Sequence, residues 1–453
     1  MIQSLSTFKG IYSFFKGISG DHCGMVNSKI RQTSIVDPDL NFFIMEVDFP
    51  NYGRLLDIPQ AHFYAGGYGT SREDALIRLI GEIIERYSGI YNYQLLKNKI
   101  IFSSYDELIE KNVKVMDLKF LNIPDEDKIQ LAINNRIHAM AMKNIKPEDL
   151  IGDINSDDVI GWFKMFDIYK SENFYVPAQL FFMGYLNDKK MLEPTNFFSI
   201  STGTASHRSY ENALTSALVE YLQSDSLMLF WYAKNVKAPK VILDAETEQF
   251  LKENKLIPQD KDILVLDLTI DKPFTILGVF IIGDEYPKVS FGIHGDSNPQ
   301  FALYRGLMEA LSIYNANFIR SFYEDKFFEL SFDKDNNFLE LDSNVLYWAN
   351  SLDTEKKEDF LKSKIKGEKS FESLTSLSSK KLLPSILDYL KRNNFNVGVY
   401  DITCPEVGLN NWYVLRTIIP ELLPIMIPGV PYSRHPRFLK YGSCNYVLPH
   451  PLP

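Results

Sequence analysis

Between Thr70 and Gly89, apolar residues recur every three or four positions, as on one face of a helix. The apolar positions are Ala75, Leu76, Leu79, Ile80, Ile83, Ile84 and Tyr87. Residues three or four apart are neighbours on a helix, so the charged residues gather on the other side. These are Arg78, Glu82, Glu85 and Arg86. The pattern predicts a helix over residues 71–88, with a capping box of Thr70 and Glu73 at its start and Gly89 at its end.

The same pattern occurs twice more without a gap. Two further helices are predicted, over residues 209–226 and 298–316. Alignment superposes Ala75, Ala213 and Ala302, then Glu82, Glu220 and Glu309, and it places Arg78 with Arg305. Glycines precede each helix, at Gly66, Gly67 and Gly69, at Gly203, and at Gly292. Repetition of this kind indicates related structural units.

Strand patterns accompany the predicted helices, for example at residues 41–47 and 263–282. The recurring order of strand, glycine turn and helix favours a mixed α/β (α+β) fold in which helices pack on sheets. We expect one domain over residues 1–453. Its sub-units are expected at residues 40–170, 171–262 and 263–453.

Two segments of the third sub-unit differ from the rest in composition. Residues 356–381 are rich in Lys, Ser and Glu, which favours an exposed or mobile segment. The C-terminal region is rich in proline and ends in Pro-His-Pro-Leu-Pro.

Composition and charge exclude several classes of protein. Apolar residues make up 45% of the chain and charged residues 23%, as in ordinary folded domains. A net charge of −10 without a long basic run argues against nucleic acid as the main partner. The start lacks a signal-peptide layout, and no apolar run reaches the ~18 residues of a transmembrane segment. We therefore expect a cytoplasmic protein.

The matched glutamates suggest one shared site. For a single helix, an exposed salt-bridge ladder explains the charges equally well. Three copies in phase weaken that explanation, because a solvated face has no need to keep phase across separate units. Two carboxylates about 4 Å apart repel by roughly 4 kcal/mol at a surface-like dielectric, so converging glutamates need a cation. Oxygen ligands without His or Cys suit Mg²⁺ or Ca²⁺, and Mg²⁺ usually arrives with a phosphate group.

The means of holding a phosphate stays open at this point. The chain contains no P-loop sequence. Glycine turns before helix N-termini suit anions, but plain turn geometry explains these glycines equally well.

These stretches resemble the YcaO family of ATP-dependent peptide-modifying enzymes. The first helix, with its glycine turn and GEIIERYS ending, is similar to that family's Gly-Lys-Gly turn and E-x-x-E-R-Y signature. The second, from STGTAS through ALVEYLQSDSLMLFWY, is similar to the signature ending in E-x-x-E-R-D. FGIHGDSNPQFALYRGLMEAL, YDITCPEV at Tyr400 and VLRTIIPELLP at Val414 resemble later motifs. The terminal PHPLP resembles the tail of the peptide-heterocyclising branch. The chain resembles the discrete D component of azole-forming cyclodehydratases over nearly its whole length.

The resemblance implies a reaction and its partners. A Cys, Ser or Thr side chain of a precursor peptide attacks the preceding amide, and ATP phosphorylates the amide oxygen. Loss of phosphate gives a thiazoline or oxazoline, in a bacteriocin- or cytolysin-type pathway. The implied cofactors are ATP and Mg²⁺. The implied partners are the precursor peptide, an E1-like (ThiF-like) leader-binding C protein and a flavin-dependent dehydrogenase, with a homodimer as a further assembly.

The resemblance also assigns roles to residues. The implied Mg²⁺ ligands are Glu82, Glu85, Glu220 and Gln223. The implied ATP-binding set consists of these four together with Arg86 and Arg305. The C-terminal carboxylate of Pro453 is implied to act as a base or an orienting group. A second group of candidates comprises Tyr68, Arg78, Ser216, Glu309 and Arg434.

Four positions depart from the family pattern. Tyr68 replaces the lysine of the Gly-Lys-Gly turn, Gln223 replaces a glutamate, Ser224 replaces an arginine, and Ser312 replaces a glutamine. Two other functions therefore stay open. One is the same ATP activation with sulfide attack, which gives a backbone thioamide. The other is a non-catalytic scaffold with a degenerate nucleotide site.

Overall fold

The computed structural model describes residues 2–32, 39–51, 64–121, 154–183, 185, 193–194, 201–323, 341–428 and 432–453. These residues form three sheets with helices packed on them. The strands are β1 (Arg31–Gln32), β2 (Phe43–Asp48), β3 (Tyr64–Gly69), β4 (Ile101–Ser103), β5 (Ile160–Asp167), β6 (Glu172–Pro177), β7 (Thr204–His207), β8 (Ala238–Ile242), β9 (Asp262–Asp267), β10 (Thr275–Ile282), β11 (Val289–Asp296), β12 (Ile365–Ser370), β13 (Gly398–Asp401) and β14 (Tyr413–Ile418). The helices are α1 (Ile2–Ile18), α2 (Arg72–Leu96), α3 (Tyr105–Glu110), α4 (Ala178–Phe181), α5 (Tyr210–Tyr232), α6 (Ala245–Glu253), α7 (Pro299–Tyr323), α8 (Leu341–Ala349), α9 (Thr354–Lys364), α10 (Ser379–Arg392), α11 (Pro405–Gly408) and α12 (Pro436–Leu439). The predicted mixed α/β class is confirmed.

Each of the three repeat helices follows an edge strand of a different sheet. The first sheet has the order β1-β2-β3 and precedes α2. A six-stranded sheet has the order β4-β5-β13-β14-β7, with β6 on β5, and β7 precedes α5. A five-stranded sheet has the order β11-β10-β9-β8-β12, and β11 precedes α7. Strands β13 and β14 of the third predicted sub-unit pair with β5 and β7. The predicted sub-units therefore share a sheet.

Hydrogen bonds join the three repeat units in a closed ring. The Ser206 hydroxyl on β7 donates to the carbonyl of Gly81 on α2, at 2.7 Å. The N–H of Gly295 on β11 donates to Gln223 Oε1 on α5, at 3.0 Å. The Tyr304 hydroxyl on α7 donates to the Asp74 carboxylate at the start of α2, at 3.1 Å. Each repeat helix thus contacts the next unit, and the third helix returns to the first.

Glycine permits the close contact between strand and helix in two of these units. A Cβ at Gly67 would lie 2.1 Å from the carbonyl oxygen of Ala75 on α2. A Cβ at Gly292 would lie 2.2 Å from the carbonyl oxygen of Gly306 on α7. A larger residue would force the helix away from its strand.

The repeat helices are present, but they are longer than predicted. Helix α2 passes through Gly89 to Leu96. Gly89 is not a C-cap, because it provides space for Met183, whose Sδ would lie 2.5 Å from a Cβ at that position. The N-cap is Ser71 rather than Thr70, since the Ser71 side chain accepts the N–H of Asp74. Helices α5 and α7 likewise end after the predicted residues 226 and 316.

Most side chains of residues 356–381 are exposed, and the segment nevertheless forms regular secondary structure. Helix α9, strand β12 and the start of α10 occupy most of it. Phe360 and Leu361 are buried in the main core, and β12 pairs in parallel with β8. The Lys-rich composition reflects exposed positions that alternate with buried ones. Parts of the predicted sub-units lie outside the described residues, including residues 122–153 and 324–340.

The C-terminal tail is fixed by buried side chains up to its last residue but one. The indole N–H groups of Trp231 and Trp348 donate to the carbonyls of Leu448 and Pro449, at 3.0 and 2.8 Å. Asn344 donates to the carbonyls of His450 and Leu452. Residues 448–452 are buried, while Pro453 is exposed.

A buried ionic network fixes the second half of α5. Asp225 accepts from Arg437 and from Lys272, at 2.7 Å in each case, and from the N–H of Leu423. Burial alone would raise the pKa of Asp225, but the charges of Arg437 and Lys272 hold it below its ordinary value. The network ties α5 to the segment that follows β14.

We predict that Gly292→Ala destabilises the fold by about 1–3 kcal/mol, because its Cβ has no space beside α7. Thermal unfolding followed by circular dichroism measures the change. Gly17→Ala on α1 is the control, since a Cβ there meets nothing within 4 Å and alanine favours a helix. Equal melting temperatures for Gly292→Ala and the unsubstituted chain contradict the packing argument.

Candidate nucleotide site

The matched glutamates share a structural contact that the sequence does not reveal. The Gly66 N–H donates to Glu82 at 3.3 Å, and the Ile293 N–H donates to Glu309 at 2.7 Å. The N–H of Gly203 hydrogen-bonds to Glu220. Each glutamate therefore ties its helix to the strand or turn that precedes it. This contact explains the matched positions independently of any ligand.

Two of these glutamates also join an acidic group with Glu85. Glu82, Glu85 and Glu220 are half-buried. Burial raises the pKa of Glu85 to about 8 and that of Glu220 well above its ordinary value, and the repulsion between them adds to the shift of Glu220. Arg86 donates to Glu82 at 3.1 Å and opposes these shifts. The structure thus brings together acidic side chains from α2 and α5.

Arg416 is a member of this group that the sequence-based assignment missed. Its side chain on β14 is 3% exposed and donates to the carbonyls of Thr202 and Leu180 and to the Thr204 hydroxyl. Its charge opposes the pKa rise of Glu85 and Glu220. Its Nε is buried without a hydrogen-bond partner among the described residues. The available signal was the VLRTIIPELLP segment, in which Arg416 is the cation.

The altered residues of α5 have contacts of their own. Gln223 accepts from the Gly295 N–H, so its side chain closes the contact between the second and third units. The Ser224 hydroxyl donates to the Glu220 carbonyl at 2.8 Å within the helix. The amide oxygen of Gln223 therefore already accepts one hydrogen bond from the protein.

Two arginines lie near Tyr68. The Arg305 guanidinium lies over the Tyr68 ring, with 5.5 Å between its Cζ and the ring centroid. Arg78 pairs with Asp74 at 3.0 Å. Burial and then the charge of Arg305 lower the pKa of Arg78, so the two guanidinium groups are close enough to repel. Burial, with the charges of both arginines, also lowers the pKa of His294 well below its ordinary value.

Tyr68 and Glu309 connect the two groups. Burial raises the pKa of Tyr68, and the charges of Glu309 and Glu82 add to this rise. Burial also raises the pKa of Glu309 to about 7. Glu309 thus lies near Arg305 and Tyr68, and the shared site expected for the three matched glutamates stays a prediction.

Three other candidates are exposed. Ser216 is exposed on α5, Arg434 is exposed in the turn before α12, and Pro453 is exposed at the end of the anchored tail. The functional roles of these three residues and of the other site residues remain predictions.

The arrangement suits a metal–triphosphate better than a metal alone. Across the described ranges, no group of three or more His, Cys, Asp or Glu side chains is placed to hold a metal ion. Mg²⁺ in nucleotide sites uses one or two carboxylates together with phosphate oxygens and water. Arg305 Nη1 is buried without a hydrogen-bond partner in the described part of the chain. A buried, unsatisfied guanidinium N–H near the raised-pKa carboxyl of Glu309 fits an anion that brings its own cation.

The raised pKa of Glu85 predicts a pH-dependent stability when divalent cations are removed. Its folded pKa of about 8 exceeds the ordinary value of 4.5, so its contribution is complete below about pH 4.5 and is lost as the pH rises through about 8. Glu85→Gln removes this loss. We expect its melting temperature in EDTA to exceed that of the unsubstituted chain by several degrees at about pH 8.5 and to approach it at about pH 5.

The exposed Glu110 provides the control for this measurement. Glu110→Gln should leave the melting temperature unchanged at both pH values. A Glu85→Gln chain that is less stable at high pH contradicts the electrostatic account.

In the part of the chain that is described, no helix has the length and apolar character needed to cross a membrane.

Comparison with known proteins identifies the family. Residues 66–423 match the family model described as YcaO cyclodehydratase, ATP- and Mg²⁺-binding. No curated protein sequence matches the chain significantly. A heterocyclase in complex with substrate and cofactor has a similar structure, with a TM-score of 0.68 and 16% identity over 98% of this chain. This chain spans 57% of the length of that heterocyclase.

Two further solved structures share the fold. YcaO from Methanopyrus kandleri, bound with AMPPCP and Mg²⁺, has a TM-score of 0.59 and 14% identity over 93% of this chain and 92% of that one. The Escherichia coli microcin synthetase McbBCD complex has a TM-score of 0.55 and 14% identity, with 87% and 88% of the two chains covered. The family model covers most of the sequence and these structures share its fold, so the chain belongs to the YcaO cyclodehydratase family.

Proposed function

We propose that this chain is the ATP-dependent cyclodehydratase subunit that converts Cys, Ser or Thr of a precursor peptide to thiazoline or oxazoline. The observation that carries the proposal is the unsatisfied, buried Nη1 of Arg305 together with the raised-pKa pair Glu85 and Glu220. Separate anion-binding and cation-binding groups within one ring of helices match the needs of MgATP.

The acidic residues and the arginines would hold different parts of the cofactor. Glu82, Glu85 and Glu220, with the amide oxygen of Gln223, would hold Mg²⁺, while Arg305 and Arg78 would face the phosphates. ATP supplies the phosphoryl group that turns the substrate amide oxygen into a leaving group. Arg416 keeps Glu85 and Glu220 close together when their protons are lost, because its charge offsets their repulsion.

The anchored tail offers a place for the carboxylate of Pro453 in the reaction. Residues 448–452 are held by side chains of α5 and α8, so the last residue starts from a fixed position. His450 Nε2 is bonded to the Met426 carbonyl at 2.7 Å. The N–H of Ile425, the preceding residue, donates to Thr202, which in turn binds Arg416. The terminal carboxylate would orient the substrate amide or accept its proton.

The proposed reaction requires a peptide substrate and implies partner proteins. McbBCD is a complex of microcin synthetase, and another structure of it contains pro-MccB17. By analogy we propose that this chain acts in the cytoplasm with a precursor peptide and an E1-like C protein. A flavin-dependent dehydrogenase would then oxidise the ring in a bacteriocin- or cytolysin-type pathway. A homodimer is a further assembly to test.

We predict that Glu220→Ala lowers phosphate release with precursor peptide and C protein by about 100-fold or more, because it removes a cation ligand at the transferring phosphate. Glu211→Ala, at an exposed position of the same helix, is the control and should keep full activity. Mass spectrometry of the peptide distinguishes loss of water from an exchange of oxygen for sulfur. Unchanged turnover in Glu220→Ala would falsify the assignment, and no calorimetric binding of MgATP would favour the scaffold alternative.

We predict that one glycine added after Pro453 lowers turnover by about 10-fold or more, because it displaces the terminal carboxylate. The melting temperature should not change, since the anchors end at Leu452. Phosphate release and circular dichroism on the same sample provide both values. Full activity in the extended chain rules out a role for the terminal carboxylate.

A further inference from the structure

Buried lysines need either a counter-ion or several acceptors, because an isolated ammonium is costly to remove from water. Lys272 meets this need with Asp225 and Asp271, at 2.7 and 2.6 Å. Lys357 meets it with the carbonyls of Tyr347 and Asn350 and with the Asn350 side chain. Both lysines are thus accounted for by the fold.

Lys364 is a buried lysine of a different kind. It is 6% exposed, and its Nζ donates one hydrogen bond, to the carbonyl of Ala233 at 2.9 Å. Within the described ranges it has no carboxylate partner. Burial lowers its pKa to about 8, and the charge of Lys237 contributes in the same direction. Its remaining N–H groups have no protein acceptor among the described residues.

Lys364 lines a cavity of about 590 Å³ between the end of α5, helix α9 and the tail. Lys234, Lys237 and Lys356 also line it, against the carboxylates of Glu355 and Asp359. As far as the chain is described, none of these four lysines is in an ion pair. The cavity is therefore net positive in a chain whose net charge is −10.

The size and floor of the cavity indicate the class of ligand. Its volume lies within the range of roughly 300–1,000 Å³ of small-molecule sites. Buried Val236 and Phe360 form an apolar floor, and Val447 is 41% exposed at the edge. A single inorganic ion would leave most of this space unfilled, whereas an organic anion would use both the charge and the apolar surface.

We propose that this cavity, the lysine pocket of Lys234, Lys237, Lys356 and Lys364, binds a small organic anion. The ligand carries a phosphate or carboxylate group on an apolar body. Its charged group accepts hydrogen bonds from Lys364, and its apolar body lies against Val447 at the edge.

The lysine pocket is separate from the nucleotide site. Ala233 follows Glu220 by about 20 Å along the axis of α5. The N–H of Asn445 donates to the Tyr232 carbonyl at 2.6 Å, so the start of the tail forms one wall. An anion that contacts this wall also braces the segment that leads into the anchored residues 448–452.

Isothermal titration calorimetry of the full chain without ATP tests the proposal. Phenyl phosphate and benzoate are the two anionic probes, and benzyl alcohol is the neutral control. At least one anion should bind at a ratio of one to one, and the two probes distinguish a phosphate site from a carboxylate site. Lys364→Gln and Lys237→Gln should weaken this binding by about tenfold or more.

Matched variants locate the binding. Lys362 lies on the same helix but pairs with Glu358 at 3.1 Å, so Lys362→Gln should bind as the unsubstituted chain does. Glu220→Ala should also retain the binding, which separates this inference from the proposed function. The proposal fails if neither anion binds, if benzyl alcohol binds as tightly, or if loss in Glu220→Ala assigns the binding to the nucleotide site. Lys237 and Lys356 are exposed, so their variants decide the matter if Lys364→Gln does not fold. The proposal also fails if Lys237→Gln and Lys356→Gln bind the anion with full affinity.

Discussion

The closed ring of contacts between the three repeat units is the constraint on which the site depends. Each repeat helix is tied to the next unit, and this closure places Glu85 of α2 beside Glu220 of α5. Their repulsion works against the closure. Arg416 and the N–H of Gly203, which meets Glu220, offset part of it. The repulsion that remains contributes to the raised pKa values of these two glutamates, and a bound cation would relieve this repulsion. The contacts that close the ring therefore also bring the charged groups of the site together.

The residues that depart from the family pattern make contacts of their own in the structure. Gln223 loses a charge, but its oxygen closes the contact with β11. Tyr68 replaces a lysine, but its ring lies under the Arg305 guanidinium. A degenerate site has no reason to keep a buried guanidinium N–H unsatisfied, because each such group costs about 1–3 kcal/mol. Arg305 and Arg416 each retain one. The altered residues therefore take part in contacts within the site, and the proposed anion would supply acceptors for these two guanidinium groups.

The sequence predicts the repeat helices and their phase, because apolar spacing determines which face of a helix is buried. It does not predict where they end. Gly89 has the appearance of a C-cap, yet its role is to admit Met183, a contact between distant segments. Arg416 is missed for the same reason, since β14 reaches the glutamates only through sheet pairing. The repeat alone cannot separate two roles of Glu309, because a residue repeated in phase can serve a repeated backbone contact as well as a shared ligand.

The tail links the site to the far end of α5. His450 contacts Met426, the neighbouring Ile425 contacts Thr202, and Thr202 accepts from Arg416. Every step uses a buried or half-buried polar group, so displacing the tail leaves acceptors or donors unsatisfied rather than returned to water. The anchors of the tail on Trp231 and Trp348 therefore support the segment whose contacts lead to Thr202.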